Sequence, residues 1–297
     1  REGGLVGSEM CIRDRGTGNL AETLLKSAES VGVEIRTHST VQSIDVANGV
    51  CSGVTLEGGE IITAAKVVSG LDPTYTFIRL VGPAELNPSF FTQVRNIKYR
   101  GSTVRVHFAL NSLPEIKGVS QDQMGTVFSV SPSIKYIERA ADAAKYGRIA
   151  EDPYVEFTFP SLINPDFAPE GKHVLSATVQ YAPYHLRGQN WTDDLKDQYK
   201  NNVVATLENY IPGFSAQIKS SAVFSPMDLE NKFGLTEGNL NHGEMTLDQF
   251  FFMRPTMSTA QYKSPIENLY LCGSGTHPGG GLHGANGFNA AREILKG

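Results

Sequence analysis

The stretch LYLCGSGTHPGGGLHGANGFNAAREIL, Leu269 to Leu295, carries seven glycines between Gly273 and Gly287. A backbone this rich in glycine either turns sharply or approaches something closely, because no Cβ stands in the way. The flanks are ordered. Asn268 to Gly273 reads as a short apolar strand, and Gly273 and Gly275 let the chain turn. From Gly284 a helical period sets in, with Gly284, Ala285 and Gly287 small on one side and Phe288, Ala291 and Leu295 as a core face. A helix N-terminus offers free N–H groups and partial positive charge, which suits an anionic group. At about 0.3–1 kcal/mol near the surface, that field tunes a ligand but does not hold one unaided. On the residues alone, a glycine loop that merely packs tightly explains the pattern equally well.

The 297 residues leave room for two domains or one large one. With 40% hydrophobic and 19% charged residues the chain falls among globular rather than disordered proteins. A net charge of −5 and the lack of any Lys/Arg run speak against a nucleic-acid partner. Cys11, Cys51 and Cys272 form no CxxC pair, which argues against a zinc site and a disulfide framework. No apolar run approaches the ~20 residues of a membrane span. The expectation is a cytoplasmic or membrane-peripheral bacterial protein, with peripheral membrane contact left open and protein partners unassigned. Residues 1–15, REGGLVGSEMCIRDR, show neither strand nor helix period and lack the apolar core of a signal peptide. They resemble translated sequencing-adapter read-through, the alternative being a disordered tail, so the native chain is expected to begin near Gly16 and to have been cut upstream.

A helix is predicted after Gly18, with Leu20, Leu24, Ala28 and Val31 on one face and Gly32 ending it. Short strands follow at Val33–Ile35 and Val41–Val46, then a hairpin turning at Glu57-Gly58-Gly59 and an apolar strand ending in Ser69-Gly70. Asp72, with Pro73 at the first helical position, caps a helix through Leu80. Beyond Gly82-Pro83 the pattern becomes strand-rich. STVRVHFAL alternates strictly, placing Val104, Val106, Phe108 and Leu110 inward and Arg105 and His107 outward. YVEFTF and HVLSATVQYA repeat the alternation, with helices near Ser133–Tyr146 and from Thr192. Thus βα-type pieces stand at both ends of the chain, around an inserted strand-rich middle.

NLYLCGSGTHPGGGLHGANGFNAA resembles the C-terminal FAD-binding motif of the phytoene desaturase-like flavoproteins. AETLLKSAESVGVEIRTHSTVQSI is similar to the helix and strands leading into that family's adenosine site, and KVVSGLDPTYTFIRLVG to its strand-to-helix segment. PSLINPDFAPEGKHVLSATVQYAPY and SPMDLENKFGLTEGNLNHGEMTLDQFFFMRP resemble the middle of the same family, so that the likeness runs from Gly16 to Gly297. It implies an α/β fold, α+β in the middle: a truncated Rossmann-like FAD-binding domain (16–82 and 263–297) with an inserted mixed or antiparallel-sheet substrate domain (83–262). FAD is the implied cofactor and an apolar, carotenoid- or lipid-like small molecule the implied substrate. The matching positions are Val41 for the adenine and Ser69 and Gly70 near the cofactor. By the same likeness Gly273, Gly275, Thr276, Pro278, Gly279, Gly280, Gly281, Gly284, Ala285 and Asn286 are expected to face the flavin and pyrophosphate. The family's N-terminal strand–GxGxxG–helix has no counterpart here. Gly16-Thr17-Gly18-Asn19-Leu20-Ala21 fits the spacing, but CIRDR before it is no buried strand.

His277 and His283 flank the glycine triplet as weak candidates for acid/base work, against the reading of loop histidines bonded to backbone; as a metal pair they lack further ligands. Arg254 is weighed as an active-site residue against a structural one. His107 is expected to be solvated, and HGE at His242 to be a turn. The resulting reading is the C-terminal portion of an FAD-dependent oxidoreductase. The alternatives are a non-catalytic FAD-fold interaction module and an inactive fragment that binds FAD negligibly alone.

Overall fold

The computed structural model describes residues 6–100 and 103–296. Helix α1 (Val6–Glu29) leads to an antiparallel meander of β1 (Val41–Ala47), β2 (Val50–Leu56) and β3 (Ile61–Thr63), followed by β4 (Val67–Ser69). A π-helical segment, Tyr75–Val81, and α2 (Pro88–Arg95) precede β5 (Val104–Leu110) and β6 (Phe128–Val130). Then come α3 (Ile134–Lys145), β7 (Tyr154–Thr158), α4 (Pro160–Ile163) and β8 (His173–Gln180). The chain continues through α5 (Asp193–Glu208), α6 (Phe214–Gln217), β9 (Ile218–Phe224) and α7 (Pro226–Phe233) to β10 (Leu269–Leu271) and α8 (Ala285–Ile294). Among the described residues no helix is long and apolar enough to cross a membrane.

Two units result. Unit 1 comprises residues 6–37 and 103–225, unit 2 residues 38–100 and 226–296. In unit 1 an antiparallel sheet runs β6-β7-β8-β5-β9. The alternation seen in the sequence decides its inner face, where Val104, Val106, Phe108, Val155, Leu175, Ala177 and Val179 are buried. Helix α5 closes that face with Leu195, Tyr199, Val203 and Leu207, and Phe214 of α6 meets Phe108 edge-on at 5.3 Å. Thr192 caps α5, its hydroxyl accepting from the Leu195 N–H at 3.3 Å.

In unit 2, β4 pairs in parallel with β10, Val67 opposite Leu269 and Ser69 opposite Leu271. The core gathers Ile44 and Cys51 of the meander, Phe77 and Leu80, Phe90 and Val94 of α2, and Leu269 and Leu271. Phe77 and Phe90 cross at 4.9 Å. This packing explains why the division does not fall at Gly82-Pro83: α2 shares its core with the segment before it. Residues 226–262 likewise belong to unit 2, held by contacts described below.

Three local expectations differ. The helix expected after Gly18 begins at Val6, so the described part of the supposed artefact or tail is helical; residues 1–5 lie outside the described residues. The segment holds no proline, and glycines at 16 and 18 cost a helix only about 1 kcal/mol each. The strand at Val33–Ile35 does not form; no neighbouring strand pairs with it among the described residues, and Val33 and Ile35 are exposed. Helix α8 is rotated from its predicted face: Phe288 and Leu295 are 64% and 85% exposed, while Asn286 and Ala290 are buried.

Candidate functional site

The parallel pair β4–β10 ends in two glycines that pack on each other. A Cβ on Gly273 would stand 2.2 Å from the carbonyl oxygen of Gly70, so both chains cross at backbone contact. Ser69 holds this end of β4, its hydroxyl 2.7 Å from that of buried Thr76 and its carbonyl accepting from the Cys272 N–H at 2.9 Å. Asp72 follows. It caps the next turn through the Tyr75 N–H at 2.9 Å, as expected, but also accepts from the Tyr99 hydroxyl at 3.1 Å and the Thr236 hydroxyl at 2.8 Å. A carboxylate that is 2% exposed is thereby hydrogen-bonded on both oxygens. Burial foremost, then the Asp72 charge, pushes the Tyr99 phenol far up, so it remains a donor.

The other glycines of the loop also meet the protein's own atoms. A Cβ on Gly275 would touch Pro73 at 2.7 Å, on Gly279 the Met245 methyl at 2.7 Å, and on Gly280 the Asn241 side-chain oxygen at 2.4 Å. At Gly273, Gly275, Gly279 and Gly280 packing on the side where a Cβ would project requires glycine. At Gly281 the neighbour is His283 at 3.0 Å. The open positions are Gly284, with φ +66°, and Gly287, where a Cβ would meet nothing within 4 Å. They stand with Ala285 at the N-terminal turn of α8.

Asn286 anchors that turn. Its amide donates to the carbonyls of Gly273 at 3.1 Å and Thr276 at 3.0 Å and to the Thr276 hydroxyl at 3.1 Å. Thr276 is itself bonded back to Gly273 at 2.8 Å. These bonds rotate α8 so that a polar side chain faces inward and Phe288 outward. Pro278 continues the loop, and His277 is pinned by its carbonyl, which accepts from Tyr262 at 2.7 Å. Val41 opens β1, paired with Leu56 and packed on the core of unit 2.

Of the three weak catalytic candidates, two have structural work. Arg254 is 2% exposed. Its guanidinium donates to the carbonyls of Ser274 at 2.9 and 3.1 Å, Glu244 at 3.1 Å, Gln249 at 3.3 Å and Asn241. It stitches residues 241–249 to the glycine loop. His283 accepts the Ala285 N–H at 3.0 Å and so caps α8. His277 leaves its Nδ1 buried without a partner, as does His242, which sequence reasoning reduced to a turn. The His242 ring lies against the same loop, its Nδ1 3.3 Å from where a Gly273 Cβ would project. Burial, with Arg254 adding and Asp72 opposing, holds it below the usual imidazole range. Asn239 was also missed; its amide donates to the Tyr99 carbonyl at 3.0 Å and its oxygen accepts from the Asn241 N–H at 2.9 Å. No periodicity marks such straps. The one signal in the sequence is a run of amides and histidines where no element is predicted.

Two glycines of the loop leave space beside the backbone. At Gly284 and Gly287 a Cβ would meet nothing within 4 Å, and both stand at a helix N-terminus, where N–H groups favour negative charge. The loop behind it is fixed by Asn286 and Arg254. The model of the flavin-containing amine oxidoreductases matches residues 2–295, and the chain belongs to that family, whose cofactor is FAD. Pyridine nucleotide-disulfide oxidoreductase domain-containing protein 2 of Rattus norvegicus is 34% identical over 291 residues, covering 95% of this chain and 50% of that protein. A phytoene desaturase (neurosporene-forming) of Cereibacter sphaeroides is 27% identical over 274 residues, covering 92% and 51%. An oxidoreductase from Methanosarcina mazei shares the fold with a TM-score of 0.61 at 16% identity, covering 96% of this chain and 55% of that one. The chain spans about half the length of the curated relatives it matches.

Proposed function

We propose that the chain is part of an FAD-dependent oxidoreductase that adds or removes hydride equivalents at a C–C bond of a largely apolar substrate. The observation that carries this is the open space at Gly284 and Gly287, on a loop where Gly273, Gly275, Gly279 and Gly280 pack against the protein's own atoms. Gly281 to Gly287 and the first turn of α8 would hold the flavin, with Ser69 and Gly70 beside the loop. When bound, FAD supplies a two-electron acceptor and the organic chemistry is its own. The residues of the chain set its surroundings. The head of α8 directs partial positive charge outward, and Arg254 and Asn286 keep the loop from collapsing into the space. His242, neutral near pH 7, adds no charge. The named activities of the relatives, phytoene desaturation and limonene dehydrogenation, favour C–C chemistry on hydrocarbon-like molecules.

The 297 residues alone are expected to bind FAD negligibly, since among the described residues the parallel sheet under the loop is two strands wide and β4 has an open edge. The test is therefore made on protein expressed with the coding sequence that adjoins this chain in its genome. Anaerobic incubation with a panel of long-chain saturated and unsaturated lipids is expected to bleach the flavin absorbance with at least one member. Bound FAD that no member reduces, and that no unsaturated member reoxidises after chemical reduction, would favour a non-catalytic FAD module instead.

A further inference from the structure

The sheet of unit 1 has two unlike faces. One is closed by α5 and α6 over an apolar core. On the other, a single row crosses all five strands in register: Phe224, Arg105, Thr178, Glu156 and Ser129. His107, Ser176 and Thr158 form the next row. This polar face is recessed rather than freely solvated, since Arg105, His107, Thr178 and Glu156 are all half-buried. His107 was expected to be solvated; burial, followed by the Arg105 charge, lowers its basicity.

Within the row, Arg105 and Glu156 flank β8 from opposite sides, two strand spacings or about 10 Å apart at the backbone. The Tyr154 hydroxyl donates to Glu156 at 2.7 Å. The guanidinium of Arg105 bonds the Thr178 hydroxyl, not Glu156. A guanidinium has five N–H donors in a planar fork that matches a carboxylate, so Arg105 retains donors for an acceptor placed over Thr178. Glu156 stands in the same row; its charge weakens a ligand carboxylate held by Arg105 and disfavours a ligand with two of them more strongly.

We propose that this face recognises a single carboxylate, with Arg105 as the specificity-determining residue, so that the substrate is an apolar molecule ending in one carboxylate rather than a bare hydrocarbon. The proposal rests on reading unit 1 as the substrate domain of the proposed oxidoreductase. It needs no flavin to be tested. Isothermal titration calorimetry on the 297-residue chain would compare octanoate with octanol. Octanoate is expected to bind saturably and more tightly. Arg105→Met is expected to weaken octanoate roughly tenfold to a hundredfold and leave octanol unchanged. Arg105→Lys, keeping the charge without the fork, loses less. Glu156→Gln is expected to tighten octanoate roughly twofold to fivefold, an effect a merely structural pair would not produce. The proposal is overturned if octanoate binds no better than octanol, or if Arg105→Met leaves its affinity unchanged. Should Arg105→Met fail to fold, unchanged affinity in both Arg105→Lys and Glu156→Gln overturns it. Flavin content, read separately by absorbance on the longer protein, reports on the oxidoreductase reading alone.

Discussion

Gly273 and Gly287 look alike in the sequence and are opposites in the structure. A methyl group on Gly273 meets a backbone carbonyl at 2.2 Å, whereas one on Gly287 meets nothing. Gly273→Ala is expected to lower stability by about 1–3 kcal/mol, the usual cost of overpacking. Gly287→Ala is expected to raise it by about 0.5–1 kcal/mol through helix propensity. Urea denaturation of the two variants checks both signs. His242 gives a second residue-level expectation. Its folded-state pKa is held below the ordinary 6.5 by burial, so below that pH the unfolded chain binds a proton that the folded chain refuses. Stability should therefore fall as pH drops through 6.5 and be insensitive to this group above it. His242→Gln is expected to flatten that part of a Tm-against-pH curve, with a residual slope of the same sign from His107 in unit 1. A wild-type Tm that rises on acidification below 6.5 contradicts the assignment.

At the scale of elements, helix α8 shows how far periodicity reaches. Asn286→Ala is expected to cost about 1–3 kcal/mol by leaving the Thr276 carbonyl without its donor, while Phe288→Ala stays within about 0.5 kcal/mol; chemical denaturation separates the two. The sequence pattern pointed the other way, because Phe288, Ala291 and Leu295 share an apolar face and four inward bonds from one amide leave no periodic trace. Strict alternation in β5, β7 and β8 was legible because burying one sheet face forces it. The cap of α5 was legible because Thr192 precedes two acids. The Val33–Ile35 strand was misread because alternation says nothing of whether a partner strand is present. The glycine loop was legible as a loop. Which glycines serve packing and which lie open depends on Gly70, Pro73, Asn241 and Met245, far away in the chain. Arg254 and Asn239 bond backbone groups, which every sequence contains, so the sequence offered Arg254 as a candidate and an amide-rich run around Asn239 but not their partners.

For the molecule as a whole, both units are built from two stretches of chain: residues 6–37 group with 103–225, and the packing of α2 and the Arg254 straps group 38–100 with 226–296. The central claim is that the open strip at the head of α8 is where the flavin lies. The direct measurement is the FAD content of protein expressed with its adjoining coding sequence, compared with the same protein carrying Gly287→Leu. Leucine there enters open space on a helix, so the fold is expected to persist by circular dichroism. The wild type should purify yellow with stoichiometric FAD and the variant colourless. A folded Gly287→Leu protein that keeps stoichiometric FAD, or a wild type that holds none, would contradict the account.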